Sequence, residues 1–192
     1  MKKFLEQFKK TTTEKLDMSN LLWSWIGSFI GILTISFIHY DTLEGTDLSL
    51  VIGSFGASAV LIYGAVHSPL SQPRNLIGGH IISAIVGVSS FQLFGDTIWF
   101  CSAFAVATSI LAMQLTLTLH PPGGATALIA VIGSEEIHAL GFVYVLVPVA
   151  SGAFILFIIA LFVNNIPSHR HYPNSITDTK FYKIFFSKRN NK

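Results

Sequence analysis

The chain has 192 residues, 51% of them apolar and only 11% charged, with a net charge of +2 and a single cysteine. A soluble domain carries roughly 25% charged residues, so a conventional water-facing surface is excluded. One cysteine excludes an intrachain disulfide, and the slight basic excess gives nucleic acid nothing to recognise.

Residues 1–20 form a basic N-terminal segment holding Lys2, Lys3, Lys9, Lys10 and Lys15. Its Phe4, Leu5, Phe8 and Leu16 suit an amphipathic helix on a membrane surface. It is too polar for a signal peptide. Six stretches then follow without any Lys, Arg, Asp or Glu: 21–38, 48–66, 76–94, 98–119, 123–133 and 139–163. A spanning helix needs about 20 residues, so the expected fold is an all-α polytopic membrane bundle over 21–163, with a basic tail at 164–192. Six crossings put every basic residue on one side, because Arg74 is the only one in an internal loop and the rest lie at the two ends. The other loops carry Asp41, Glu44, Asp47, Asp96, Glu135 and Glu136. The positive-inside rule then predicts a plasma (bacterial inner) membrane protein with both termini cytoplasmic. Five crossings would put one basic terminus outside.

The first stretch contains Gly27 and Gly31 at GxxxG spacing, which suits close helix packing within the protein or in a dimer. In the second, Gly53-Ser54-Phe55-Gly56 predicts a helix break. The connection after it holds Gln72, Arg74 and Asn75, expected to line the cytoplasmic mouth and concentrate anions or else to set orientation alone. His80 is the only titratable side chain of the third stretch, suited to bonding the broken segment or relaying a proton. Gly79, Ser83 and Gly87 form a small-residue stripe there. Gln114 and Thr116, in the fourth, are expected to bond neighbouring helices.

The fifth stretch is too short to cross. His120-Pro121-Pro122-Gly123-Gly124 reads as the entry to a re-entrant half-helix: Pro121 forces its predecessor out of helix, and Pro122 suits the first turn. The alternative is that these residues only kink long helices. Pro148, with Ser151 and Gly152, should kink the sixth. His169-Arg170-His171 reads as a solvated interfacial segment, and Trp23, Trp25, Trp99, Tyr40 and Tyr172 as interface anchors.

Laid against itself at the separation of Gly56 from Gly124, 68 residues, the chain aligns Gly56-Ala57-Ser58-Ala59 with Gly124-Ala125-Thr126-Ala127 and Ser83 with Ser151. The match is short enough to arise by chance. Otherwise each repeat has three crossings and the second copy runs inverted, as in many transporters. Two half-helix N-termini would then meet near the midplane and form an anion site from backbone N–H groups and the helix dipole. Ser54, Gly56, Ser58, His120, Pro121, Pro122, Gly123, Gly124 and Thr126 would line it.

His120-Pro121-Pro122-Gly123-Gly124-Ala125-Thr126-Ala127-Leu128 resembles the signature of the HPP family of integral membrane proteins. Phe55-Gly56-Ala57-Ser58-Ala59, the run from Ser68 to Asn75, and Gly79-His80 with Ser83 and Ala84 resemble further motifs of that family, in the same order. The resemblance covers about residues 20–163 and implies a membrane domain, usually described with four spanning helices. It is similar to plastid and cyanobacterial nitrite transporters, which implies a transporter or channel for a small anion, nitrite first and nitrate second. Some relatives carry appended CBS domains, for which a tail of about 29 residues leaves no room. The alternatives are a pH-dependent pore for a weak acid or neutral solute, and a non-transporting structural subunit. No enzyme activity, cofactor or metal is expected. The expected partners are the lipid bilayer, the small anion and a second copy in a homo-oligomer.

Overall fold

The computed structural model describes residues 17–42 and 48–174. The lysines at both ends, the amphipathic N-terminal reading, Glu44 and Asp47 lie outside them. All regular structure among the described residues is helical.

Asp17 starts the first helix by accepting from the Ser19 N–H at 3.0 Å and from the Asn20 amide at 2.8 Å. Helix α1 then runs Met18–Thr42. Helix α2 (Leu48–Ala59) continues into a π-helical turn, Val60–Gly64. A short 3-10 turn, Pro69–Ser71, leads to α3 (Pro73–Phe94), which opens on a proline at its first position. Helix α4 spans Ile98–Leu115, α5 Pro121–Ile132 and α6 Glu135–Leu140. A π-helical stretch, Val145–Ala150, enters α7 (Ser151–Val163). The kink expected at Pro148 is there: Val147 leaves helical geometry at φ −132°, ψ 118°.

Among the described residues four helices are long and apolar enough to cross a membrane: Met18–Ile38, Pro73–Phe94, Ile98–Leu115 and Val145–Val163. Gly53–Gly64 and Pro121–Ile132 are shorter. This is an all-α membrane bundle of six apolar segments, and the four long spans agree with the number the family resemblance implies. Outward faces are apolar, with Phe37 68% and Trp99 79% exposed. In lipid this is the ordinary state of a helix surface.

The break expected at Gly53–Gly56 is not a break. Helix α2 passes through both glycines, and the irregularity falls instead at Val60–Gly64. The fifth segment is the half-helix expected: α5 has 12 residues, or about 18 Å, against a hydrocarbon core of about 30 Å.

Helix α3 is the axis of the bundle, packing against α4, α5 and α7. Its small-residue stripe faces α5, so closely that a Cβ on Gly79 would lie 2.5 Å from His120 Cβ and one on Gly87 2.6 Å from the Ala127 carbonyl oxygen. The GxxxG pair of α1 also packs inside the protein, where a Cβ on Gly27 would meet the Tyr63 ring at 2.4 Å. Arg74 starts α3 and Asp96 follows its end, so the bundle has a basic end and an acidic end.

The chain beyond α7 turns back into the bundle at the basic end. Arg170, expected in a solvated segment, is 4% exposed, and Tyr172, expected as an interface anchor, is wholly buried with its hydroxyl donating to the Ser71 carbonyl at 2.8 Å. Arg170 uses all five of its N–H donors. Nε donates to Asn20 Oδ1 (2.8 Å), Nη1 to Tyr63 O (3.3 Å) and Asn164 Oδ1 (3.4 Å), and Nη2 to Asn20 O and Ser24 Oγ (2.9 Å). One guanidinium thus joins the start of α1, the end of α2 and the end of α7. Its planar fork suits several fixed acceptors in a way an ammonium cannot. Burial pushes its pKa down, and Asp17 opposes that.

Candidate functional site

The site is built where α5 starts. Pro121 disfavours helical geometry in the residue before it, and His120 is extended at φ −140°, ψ 104°. That conformation aims its imidazole inward against α2 and α3. The loop from α4 is pinned from α3: Arg74 Nη2 donates to Thr116 O at 2.9 Å and Asn75 Nδ2 to Leu119 O at 2.8 Å. Gln72 clasps the preceding loop, donating to Val66 O and Ser68 O, both at 3.0 Å. The loop between α4 and α5 holds a non-glycine residue in the left-handed region, Leu117 at φ 56°.

His120 and His80 are both fully buried, their ring centroids 5.0 Å apart, with Ser58 between them. Ser58 Oγ lies 2.7 Å from His80 Nε2 and 2.9 Å from His120 Nε2. On the far side of His80, Nδ1 lies 2.7 Å from Thr126 Oγ1; on the far side of His120, Nδ1 lies 2.8 Å from the Leu70 carbonyl oxygen. Four side chains and one carbonyl therefore form a continuous chain of hydrogen bonds.

With neutral imidazoles its direction follows from chemistry. A carbonyl only accepts, so His120 Nδ1 carries hydrogen and its Nε2 accepts from Ser58. Ser58, having donated, accepts from His80 Nε2–H, and His80 Nδ1 accepts from the Thr126 hydroxyl. The order runs Thr126, His80, Ser58, His120, Leu70, every donor pointing the same way. Phe55 covers His80 at 5.3 Å between centroids. Helix α7 admits that ring only because residue 152 is glycine, where a Cβ would lie 2.4 Å from it.

The sequence-predicted residues divide into three groups. Ser58, His80, His120 and Thr126 meet in the chain, and the Ser54 carbonyl stands 3.2 Å from Ser58 Oγ. Pro122 and Gly123 are buried beside it, Gly123 so close to α3 that a Cβ would lie 2.6 Å from Ser83 Oγ. Gly56 and Gly124 face away. Nothing lies within 4 Å of a Cβ on Gly56, and Gly124 lines an apolar groove of about 550 Å³ between α4 and α5, along with Pro121 and Ala125.

The expected pair of facing half-helix N-termini is also corrected. Helix α2 begins at Leu48, not at its glycines. Helix α5 offers few free donors, since Pro121 and Pro122 have no N–H and that of Gly123 is bonded to His120 O at 2.8 Å. Sequence reasoning missed two members. The Leu70 carbonyl carries no side-chain signal. Tyr144, whose hydroxyl donates to the Thr126 carbonyl at 3.0 Å, sits in an apolar run that singles out no partner for it.

The profile of the HPP transmembrane region matches residues 13–173 of this chain. Two transmembrane proteins of Dictyostelium discoideum are similar to it: one is 45% identical over 179 residues, covering 88% of this chain and 57% of its own length. The other is 46% identical over 175 residues, covering 90% and 61%. The chain thus spans about three fifths of the length of the curated relatives it matches. No solved structure matches.

Proposed function

The chain belongs to the family of HPP transmembrane regions, and from that premise we propose that it is a transporter or channel for a small inorganic anion, nitrite first and nitrate second. One observation carries the reading: a buried chain of two histidines and two hydroxyls at the mouth of a half-helix, inside a membrane bundle. Polar groups at such depth are costly, and where they persist they mark solute or proton paths. The six apolar stretches contain no Asp or Glu, so nothing in them repels an anion. The basic end is the cytoplasmic one in this reading, with Arg74 at its mouth and the acidic loops outside, in a plasma membrane of bacterial inner-membrane type.

A second reading has its own support. The start of α5 keeps few free N–H groups, which favours a solute that travels as its weak acid or together with a proton.

The test is uptake of nitrite and of nitrate into proteoliposomes, comparing the wild type with His120→Gln of unchanged monodispersity and helicity. The expected result is wild-type uptake above that of empty vesicles, reduced at least ~10-fold in the variant, the scale of one to two hydrogen bonds at a site. Background flux of both ions through the wild type would overturn the assignment.

A further inference from the structure

We propose that His80 and His120, bridged by Ser58, are a binding site for one proton, which moves between the two imidazoles and accompanies the transported anion. The coupling rests on the anion reading above; the proton site does not.

The neutral chain has room for one more hydrogen at either end. On His80, Nδ1 becomes a donor to Thr126 Oγ1, and the Thr126 hydroxyl turns to the Pro122 carbonyl oxygen, already 3.4 Å away. On His120, Nε2 becomes a donor to Ser58 Oγ, and the Ser58 hydroxyl turns to the Ser54 carbonyl oxygen at 3.2 Å. Both hydroxyls thus have a second acceptor in place. A serine oxygen has two lone pairs and accepts from both imidazoles at once.

Transfer between the rings balances. One hydrogen crosses from His80 Nε2 to Ser58 Oγ as another crosses from Ser58 Oγ to His120 Nε2, which leaves His80 with hydrogen on Nδ1 alone and the Ser58 hydroxyl donating to His80 Nε2. The positive charge moves from His80 to His120, and no heavy atom has to move. A second proton is disfavoured, because two like charges would stand with ring centroids 5.0 Å apart.

The two ends of the chain have different surroundings. At the acidic end, Tyr144 lines a cavity of about 20 Å³ with Gln92 and His138, and its hydroxyl holds the Thr126 carbonyl. That volume is enough for one water molecule. At the basic end, His120 Nδ1 meets Leu70, a half-buried residue in the turn Pro69–Ser71.

The groups facing the pair are few. Helix α2 presents Ser54, Phe55 and Ser58; α4 presents Met113, bonded to Ser83 at 3.4 Å; and the stretch before α7 presents Tyr144. Tyr63, at the end of α2, is turned away, its hydroxyl on Leu156 O of α7 at 3.3 Å. Among the described residues no charged side chain is bonded to either imidazole, and Arg74 is held on Thr116 O. The proton carried at the pair is therefore unopposed by a fixed charge, and a passing anion is its natural partner.

The deciding experiment is solid-state NMR of the full chain, labelled with 15N in histidine and held in lipid bilayers, titrated from roughly pH 9 to pH 4 around the range of imidazole. The expected neutral state has hydrogen on His120 Nδ1 and on His80 Nε2. On acidification both rings should shift with one common midpoint, for a total of one proton. The opposite tautomers, two complete and separate titrations, or no titration of either ring would overturn the site.

Coupling is read separately, from a pH dye inside proteoliposomes given a nitrite or nitrate gradient. Internal pH should follow uptake in the wild type beyond the change in empty vesicles. Ser58→Ala should lower that proton movement at least ~10-fold relative to anion uptake, one missing bond in the chain. Anion entry without proton movement in the wild type would overturn coupling and leave the anion reading standing. A shared proton found by NMR with no flux of either ion would do the reverse.

Discussion

Ser58 is a small side chain on which two imidazoles depend, and its loss should be felt beyond its size. Alanine there leaves His80 Nε2–H and His120 Nε2 buried without their partner. An orphaned buried polar group costs roughly 1–3 kcal/mol, so Ser58→Ala should lower unfolding stability in detergent by about that amount. Thr126→Val removes one side-chain bond to His80 and should cost about 0.6 to 1.7 kcal/mol, the span measured for hydrogen bonds between membrane helices. The adjacent glycines of the motif should separate sharply. Gly123→Ala drives a Cβ to 2.6 Å from Ser83 Oγ and should destabilise by about 1–3 kcal/mol. Gly124→Ala meets nothing closer than Val106 Cγ1 at 3.9 Å and should be neutral, or stabilising by up to about 1 kcal/mol through helix propensity. Denaturation of the two variants side by side checks this. At this scale the sequence was informative for the four side chains of the chain itself: Ser58, His80, His120 and Thr126 were each singled out and do meet. It was silent on the Leu70 carbonyl, because every residue has one and only the fold decides which is free to accept.

Among elements, α5 and α2 show what local sequence can and cannot decide. The start of α5 was legible because a proline constrains the residue before it by steric clash, whatever surrounds it. The supposed break in α2 was not, because glycine only weakens a helix, by about 1 kcal/mol relative to alanine. In lipid, an open helix turn leaves backbone groups without partners at several kcal/mol each. The cheaper outcome is the continuous helix observed, its glycines turned outward. Arg170 was misread for a related reason: a cation beside two histidines looks solvated until the acceptors it meets are known, and these come from residues 20, 24, 63 and 164. Arg170→Lys keeps the charge but cannot reach acceptors on three elements. It should destabilise by on the order of 3 kcal/mol, as loss of hydrogen bonds to a charged group does. A fall in the thermal midpoint, with helicity unchanged at low temperature, is the expected readout.

For the whole molecule, orientation is the first thing to measure. In a Cys101→Ala background, with cysteines placed singly at Ser68 and at Asp96, a membrane-impermeant maleimide should label Asp96→Cys in intact cells and Ser68→Cys only after the cells are opened. Labelling of both from one face would refute the six-crossing arrangement. Ser58 and Thr126, aligned at the 68-residue offset, contact His80 at its two ring nitrogens. The same offset sets Gly56 against Gly124, and both face outward. Composition made the membrane class plain, since the lack of charge holds for any arrangement of the helices. The pairing of the helices was beyond it, because lipid-facing and partner-facing apolar residues look alike in a sequence. The place of His80 on α3 has one more consequence. His80 lies seven residues along α3 from Pro73, or about 10 Å at the helical rise; with Pro73 set at the edge of a hydrocarbon core of about 30 Å, that is a third of the way in. A charge held there feels about a third of the membrane voltage, worth roughly 0.8 kcal/mol per 100 mV. In the proton reading proposed above, occupancy of the histidine pair should therefore follow the electric field about fourfold per 100 mV.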